Sequence, residues 1–200
     1  MKQQQLETLV REILGEDYAS LHIKKYMLTE DISNQQAQIA CALYFVNQDA
    51  HRGVDGQGVG MIDALFKGLK GTLSSEYPSL EHINFIDFAI SGDFASGRED
   101  ARSDAAGHVR LVVENSSGRR FKFEDRSQSI SASSVAVVVN CVEHFINAET
   151  AVLRVFDWID DAKARDRQDL VDKYVQRLSD LVKNASYSES IERKQAAAAL

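Results

Sequence analysis

The chain has 200 residues, of which 44% are hydrophobic and 26% are charged, a composition typical of a globular protein with one main core. Its formal net charge of −7 argues against binding to nucleic acid, because a duplex-binding surface needs a basic face. We expect no membrane span and no signal peptide, because no apolar run approaches the roughly 20 residues that cross a bilayer.

The first predicted element is a helix over Gln3–Leu14, where apolar residues recur at helical spacing. This apolar stripe consists of Leu6, Leu9, Val10, Ile13 and Leu14. Gly15 is expected to end the helix, because glycine is the usual residue just beyond a helix end. We therefore assign residues 1–20 to an N-terminal helix, whose stripe rests on the core or on a partner chain.

Three strands are predicted next, over residues 21–28, over about 36–46, and over a short stretch that ends at Gly56. The second strand carries apolar side chains on both faces, which predicts that both faces are covered, at least in part. A helix follows the glycines of 56–60, and Gly71 is expected to end it. Its apolar stripe consists of Ile62, Leu65, Phe66 and Leu69.

The same order of elements then recurs, with strands predicted over 83–90, 109–113 and 121–124 and a second helix after them. The second helix is marked by Val135, Val138, Val139, Val142 and Ile146. Two β-β-β-α units predict an α+β fold, in which a mainly antiparallel sheet is layered with helices. Residues 91–107 are rich in Gly, Ser, Asp and Arg, and we expect them to form a mobile surface loop.

Helical patterns continue after residue 148, and we assign residues 149–195 to a C-terminal helical extension. Its two apolar stripes predict two helices or one bent helix, packed on the sheet or on a second subunit. The last residues, 196–200, have the sequence AAAAL, which resembles the remnant of a cloning site ahead of a purification tag. A native alanine-rich helix end is the alternative interpretation.

Four motifs resemble one known domain family. Residues 58–65, GVGMIDAL, are similar to the G-x-G-P-[VI]-[DN]-A-[AL] signature of the C-terminal domain of isopropylmalate and citramalate synthases. The other three similarities are to its Y-P-x-L…[LV]-D-Y segment at 77–80 and 83–88, to the following hairpin at 109–114, and to the start of its last helix at 129–133. Their order and spacing agree over residues 21–148, which resemble the regulatory domain of this family.

The resemblance implies a regulatory and dimerisation domain without the catalytic barrel of the family, and therefore no enzymatic activity in this chain by itself. Family members sense leucine or isoleucine at this domain, so a homodimer that binds a branched-chain amino acid is expected. A catalytic synthase subunit or domain is a further expected partner, and no cofactor is expected. The alternative is a stand-alone dimeric scaffold protein that kept the fold and lost effector binding.

Three departures from the family pattern affect the effector site. Val59 stands where the family usually has Asn or Gly, and Met61 stands where it has Pro. Phe88 replaces a tyrosine and so lacks a hydroxyl group. These changes favour the scaffold interpretation, whereas the retained glycines and Asp87 favour effector binding.

The candidate effector site is placed at the start of the first sheet-covering helix. Glycines before a helix allow close backbone approach, and the free N–H groups of the first turn attract a carboxylate. The alternative interpretation of these glycines is a tight strand-to-helix connection that needs a positive φ. Asp87 is a candidate partner for an ammonium group, or it pairs within the fold. Ile130 and Ala132 are added because they lie at the start of the second helix, which occupies the equivalent place in the second unit. The candidate residues are therefore Gly58, Val59, Gly60, Met61, Ala64, Asp87, Phe88, Ile130 and Ala132.

No catalytic or metal-binding residues are predicted. The five histidines form no HxH or HExxH pair, and no carboxylate stands at metal-ligand spacing beside them. Ser133 and Ser134 have no His-Asp arrangement around them that would indicate a hydrolase triad. Cys41 and Cys141 form no CxxC motif, so we expect buried, reduced thiols in a cytoplasmic protein.

Overall fold

A computed structural model of the chain describes residues 3–46, 50–92 and 107–184. The helices and strands are α1 (Gln3–Leu14), β1 (Leu21–Asp31), β2 (Gln36–Phe45), β3 (Ala50–Gly58), α2 (Met61–Leu73), β4 (Asn84–Gly92), β5 (Gly107–Glu114), β6 (Arg120–Ser127), α3 (Ile130–Ala164) and α4 (Gln168–Asn184). Most of the predicted loop over 91–107, and all of the tail 196–200, lie outside the described residues.

The six strands form two antiparallel sheets of three strands, ordered β1-β2-β3 and β4-β5-β6. Each sheet is followed by a helix, so the α+β fold of two β-β-β-α units is confirmed, with one sheet for each unit. The first strand of each sheet has an irregularity in its pairing, between Ile23 and Tyr26 in β1 and between Phe85 and Asp87 in β4. This shared irregularity supports the internal repeat.

The core lies between the inner faces of the sheets and the helices, and α3 contacts both sheets and the other three helices. Along β5, side chains alternate, with Val109, Leu111 and Val113 fully buried on the inner face. The rings of Phe66 in α2 and Phe85 in β4 have centroids 4.3 Å apart, which joins the two units. The molecule therefore has one continuous core.

The second face of β2 is covered less than the sequence predicts. Leu43 is buried on the inner face. On the other face Ala40 is exposed, and Ala42 and Tyr44 are only half-buried. Met27 of β1 lies opposite Ala40 and is 71% exposed. We call this surface the outer face of the first sheet, and it consists of Met27, Thr29, Gln38, Ala40, Asp55 and Gln57. A single chain leaves this face open to solvent.

α3 is one helix of 35 residues, and it crosses the boundary that the sequence suggested between residues 148 and 149. By length and composition it could cross a membrane, contrary to the expectation from the sequence. However, 67% of its most apolar window is buried inside the fold, so the core accounts for its apolar surface. The two predicted C-terminal stripes belong to two helices, the second half of α3 and the whole of α4.

Glycines allow α2 to pack closely on β3. A Cβ atom on Gly56 would lie 1.9 Å from the carbonyl oxygen of Ala64 and 3.0 Å from the Cα of Gly68. Only glycine fits at this contact, because both neighbours are backbone atoms. Gly15, with φ of +56°, follows the last residue of α1 as predicted, whereas Gly71 does not end α2, which continues to Leu73.

Gly56→Ala is expected to lower the free energy of unfolding by about 2 kcal/mol or more, because the added methyl group collides with the backbone of α2. Gly71→Ala is the control within α2, where a Cβ atom meets nothing within 4 Å. We expect it to raise the free energy of unfolding by about 0.5–1 kcal/mol, because alanine favours helix. Urea denaturation measures both changes, and a Gly56→Ala variant as stable as the unmodified chain would contradict the close contact.

His144 lies in the core beneath the second sheet. Its ring is packed against Phe121, Phe123 and Phe145, at centroid distances of 5.3, 5.6 and 5.2 Å. Burial lowers the pKa of His144 from its ordinary value of 6.5 to about 4. The imidazole is therefore neutral at pH 7.

This pKa makes stability depend on pH in a defined window. His144 binds a proton below pH 6.5 in the unfolded chain but only below about pH 4 in the folded chain, so its contribution to stability is lost as the pH falls through this range. Between pH 7 and pH 5 this loss amounts to about 2 kcal/mol. We expect His144→Phe to remove it, as measured by urea denaturation at pH 7, 6 and 5. The same pH dependence in variant and unmodified protein would be incompatible with a buried neutral imidazole.

Candidate effector site

The start of α2 has the backbone geometry that the sequence analysis anticipated. Gly60 is the N-cap residue in an extended conformation, and no side chain caps the helix from that position. The first hydrogen bond of α2 runs from the Ala64 N–H to the Gly60 carbonyl oxygen, at 2.9 Å. The N–H groups of residues 61–63 therefore have no partner within the helix, and they create a weakly positive end that favours an anion.

Asp63 already places a carboxylate at this helix start. Its Oδ2 accepts a hydrogen bond from the Val59 N–H at 3.0 Å and another from Lys67 Nζ at 2.7 Å. A carboxylate in the first turn also stabilises the helix dipole. Asp63 was not among the predicted site residues, although its position in the family-like motif and in the first turn of the helix was a signal for it.

The two glycines before α2 have different roles. A Cβ atom on Gly58 would lie 2.5 Å from the Ala64 nitrogen and 2.5 Å from Asp63 Oδ2, so Gly58 permits close approach of strand and helix. A Cβ atom on Gly60 would meet nothing within 4 Å. Neither has a positive φ, because the positive-φ glycines of the described residues are elsewhere. The interpretation that these glycines need a positive φ is therefore wrong.

Apolar side chains around the start of α2 differ in exposure. Val59 is 67% exposed, Met61 is half-buried against the core, and Ala64 is completely buried. Val59 and Met61 therefore offer surface to an apolar ligand group. Ala64 offers none, and its small side chain instead lies where α2 packs closely on β3.

Asp87 and Phe88 lie on opposite faces of β4. Asp87 is exposed on the outer face of the second sheet, where its Oδ2 accepts a hydrogen bond from Arg110 Nη2 at 2.8 Å. Phe88 is half-buried on the inner face, where its partner in β5 is the buried Leu111. Of the two interpretations proposed for Asp87, the geometry supports pairing within the fold.

The start of α3 is capped differently from that of α2. The Ser129 hydroxyl oxygen accepts a hydrogen bond from the Ala132 N–H at 3.2 Å. Ser133 donates to Asp125 Oδ2 at 2.6 Å, which ties the helix to β6. Ile130 is 47% exposed and lies close to Gly107, where an added Cβ atom would be 2.8 Å from Ile130 Cγ1.

Ala132 lines a groove of about 280 Å³ between β1 and α3. The walls also include Leu21, His22, Ile23, Lys24, Tyr26, Val135, Ala136, Val139 and Asn140. The helical part of this wall has the spacing of one helix face, of which the sequence analysis named only Ala132 as a candidate site residue. The part from β1 carried no motif, so nothing in the sequence marked it as a candidate site.

Comparison with known protein families decides which domain this is. The family model of the LeuA allosteric (dimerisation) domain matches residues 1–146. The chain belongs to this family. No curated protein shows a significant match.

The LeuA allosteric (dimerisation) domain match covers α1, both three-stranded units and the first half of α3. The resemblance to the regulatory domain of isopropylmalate and citramalate synthases is therefore confirmed. The helix α1, which the sequence analysis treated separately, lies within the match, and α4 lies beyond it.

Within the described part of this LeuA allosteric domain, no three His, Cys, Asp or Glu side chains come together as metal ligands. Cys141 is fully buried, and burial raises the pKa of its thiol. Cys41 is half-buried, and the pKa of its thiol is raised mainly by burial as well.

Proposed function

We propose that this LeuA allosteric domain regulates an acyltransferase of the isopropylmalate or citramalate synthase type, without catalysing a reaction by itself. Its effector is a branched-chain amino acid, leucine or isoleucine, and its partner is a catalytic synthase subunit or domain. The family match supports the regulatory role. The observation that carries the effector proposal is the start of α2, where N–H groups without a partner in the helix lie beside the exposed Val59 and the half-buried Met61.

The start of α2 has one group for each part of such an effector. The N–H groups of residues 61–63 attract the effector carboxylate. Val59 and Met61 provide apolar surface for its branched side chain. Asp63 is the carboxylate for its ammonium group, because Asp63 lies at this helix start whereas Asp87 lies on the outer face of the second sheet. The ammonium group would share Asp63 with Lys67, which pairs with it at 2.7 Å.

The second candidate function is a dimeric scaffold that has lost effector binding. It is favoured by the hydrogen bond from the Val59 N–H to Asp63, which already satisfies one donor at the helix start. The negative charge of Asp63 also opposes the entry of an effector carboxylate. Binding measurements distinguish this candidate from the first.

Thermal unfolding in the presence of leucine, isoleucine and valine tests the effector proposal. A ligand at about a hundred times its dissociation constant adds about 2.7 kcal/mol to stability, so one of the first two is expected to raise the melting temperature by several degrees. Asp63→Asn is expected to weaken binding more than about tenfold, because it removes the charge that holds the ammonium group. Asp160→Asn, an exposed position on α3, is the control and keeps the shift. No shift with any of the three amino acids at millimolar concentration would leave the scaffold as the function.

We also propose that the functional unit is a homodimer. The family is described as a dimerisation domain, which supports this assembly. Its contact surface is the outer face of the first sheet, and this choice is supported by the exposure of Met27 (71%) and of Ala40 beside it. A second copy there would cover Ala40 and its neighbours on the other face of β2, where the strand is apolar on both sides from residue 40 onwards.

Analytical ultracentrifugation is expected to give twice the mass of the chain at micromolar concentration. Met27→Glu on the outer face of the first sheet is expected to shift the protein to monomer, because it buries an unpaired charge in the contact. Ile32→Glu is the matched control, since Ile32 is 87% exposed in the turn between β1 and β2. A protein that sediments as a monomer would exclude the homodimer, and a Met27→Glu variant that remains dimeric would exclude this face.

A further inference from the structure

Three aromatic side chains form a row beside the outer face of the first sheet. His22 of β1, Tyr44 of β2 and His51 of β3 lie directly opposite one another in the strand pairing. Tyr44 lies on the same side of the sheet as Ala40, because side chains alternate along β2. Both histidines are exposed, and the rings of Tyr44 and His51 have centroids 5.6 Å apart. We call these three residues, His22, Tyr44 and His51, the histidine row.

The histidine row and the outer face of the first sheet differ in charge. A groove of about 220 Å³ at the row contains both histidines and Lys24, and no carboxylate lines it among the described residues. Lys24 Nζ lies 4.5 Å from the centre of the Tyr44 ring. The outer face instead supplies a carboxylate, because Asp55 is exposed four residues after His51 on the same side of β3. This separation is about 13 Å, so the two side chains of one copy do not meet.

The surface between Asp55 and the histidine row carries small residues. Ala42 and Gly53 lie there, directly opposite each other in the strand pairing. A Cβ atom on Gly53 would meet nothing within 4 Å, so this position is open and lets another backbone approach. Beyond them, a depression of about 390 Å³ lies on the outer face of the first sheet, with Met27, Ala40 and Asp55 in its walls. The surface therefore has aromatic rings on one side of its centre and a depression on the other.

We propose that two copies of the chain pack this surface face to face with antiparallel strands, so that His51 of each copy forms an ion pair with Asp55 of the partner subunit. A two-fold axis through Ala42 and Gly53 gives this register, and each contact across such an axis occurs twice. Sheets packed face to face lie about 10 Å apart, a distance that a histidine and an aspartate side chain span together. This register rests on the homodimer proposed above.

The same register fits the shapes of the two surfaces. Tyr44 lies opposite the partner's Ala40, so its ring enters the depression on the partner's outer face. The partner's Met27 borders that depression, and a thioether beside an aromatic ring is a favourable contact. A two-fold axis along the strands is the alternative, but it places His51 opposite the partner's His22. That arrangement brings the basic ends of both copies together and leaves the carboxylates without a cation, so charge disfavours it.

The ion pair makes the dimer depend on pH. Histidine is the side-chain type whose charge changes between pH 5 and 8, so His51 is positive opposite the partner's carboxylate only in the acidic part of this range. Within one copy, Tyr44 contacts His51 and Lys24 lines the same groove. His22 faces the partner's Met27 and gains no carboxylate. Dimer formation therefore favours proton uptake by His51, and the dimer is tighter at pH 6 than at pH 8.

Sedimentation velocity over a concentration series gives the dissociation constant of the dimer at pH 8 and at pH 6. We expect a value about fivefold lower at pH 6, because two ion pairs form in each dimer. His51→Gln and Asp55→Asn are each expected to remove most of this difference. His108→Gln is the matched control and keeps it, since His108 is a half-exposed histidine of the second sheet. A dissociation constant that is equal at both pH values, or a difference that survives His51→Gln, would overturn the ion pair.

Exchange of the two charges tests the register. At pH 6, His51→Glu and Asp55→Lys are each expected to weaken the dimer more than about tenfold, because each places like charges opposite one another. The two substitutions together are expected to restore the dissociation constant to within about threefold. Additive weakening in the combined variant would exclude the register, and the face itself stands if Met27→Glu still gives a monomer. Sedimentation of the unmodified chain as a monomer at both pH values would overturn the homodimer as well.

Discussion

The structure depends on the burial of α3, because every layer of the fold packs against this one helix. It contacts both sheets and the other three helices, and valines along its length are fully buried. A helix that is apolar on most sides cannot remain exposed to water, so it must be surrounded. This requirement explains why the N-terminal helix, the two repeated units and α4 are held together in one core.

Polar groups on α3 determine how its neighbours are placed around it. Glu143 accepts the Leu21 N–H at 2.8 Å, and Asn147 binds both the N–H and the carbonyl oxygen of Ala19, at 2.7 and 2.8 Å. Glu149, almost completely buried, accepts the Ser79 N–H at 3.0 Å. These bonds fix the segments that lead into β1 and β4. Burial disfavours the charged form of Glu143 and raises the pKa of its carboxyl group. The hydrogen bonds that Glu143 accepts from Leu21 and Tyr18 favour the charged form and offset part of this effect.

Whether an effector binds at the start of α2 depends on the groups that the close approach of β3 and α2 brings together there. Gly56 and Gly58 bring the helix so near to β3 that Asp63 reaches the Val59 N–H. The same approach that exposes the N–H groups of the helix start therefore brings a carboxylate beside them. Asp63 serves either as the partner of an ammonium group or as a built-in substitute for the effector carboxylate, and these two roles separate the two candidate functions.

Local patterns in the sequence were sufficient to predict the order of elements, the repeat of two units and the limits of α1, because periodicity and turn glycines act over a few residues. Four motifs in the right order, within residues 58–133, were sufficient to identify the family. Tertiary structure decided what depends on distant contacts: that α3 continues past residue 148, that Asp87 is paired with Arg110, and that β2 has an open face. It also placed α1 against α3, which begins more than 100 residues later in the chain. No local pattern encodes such a contact, because only packing sets the distance between elements so far apart in the sequence.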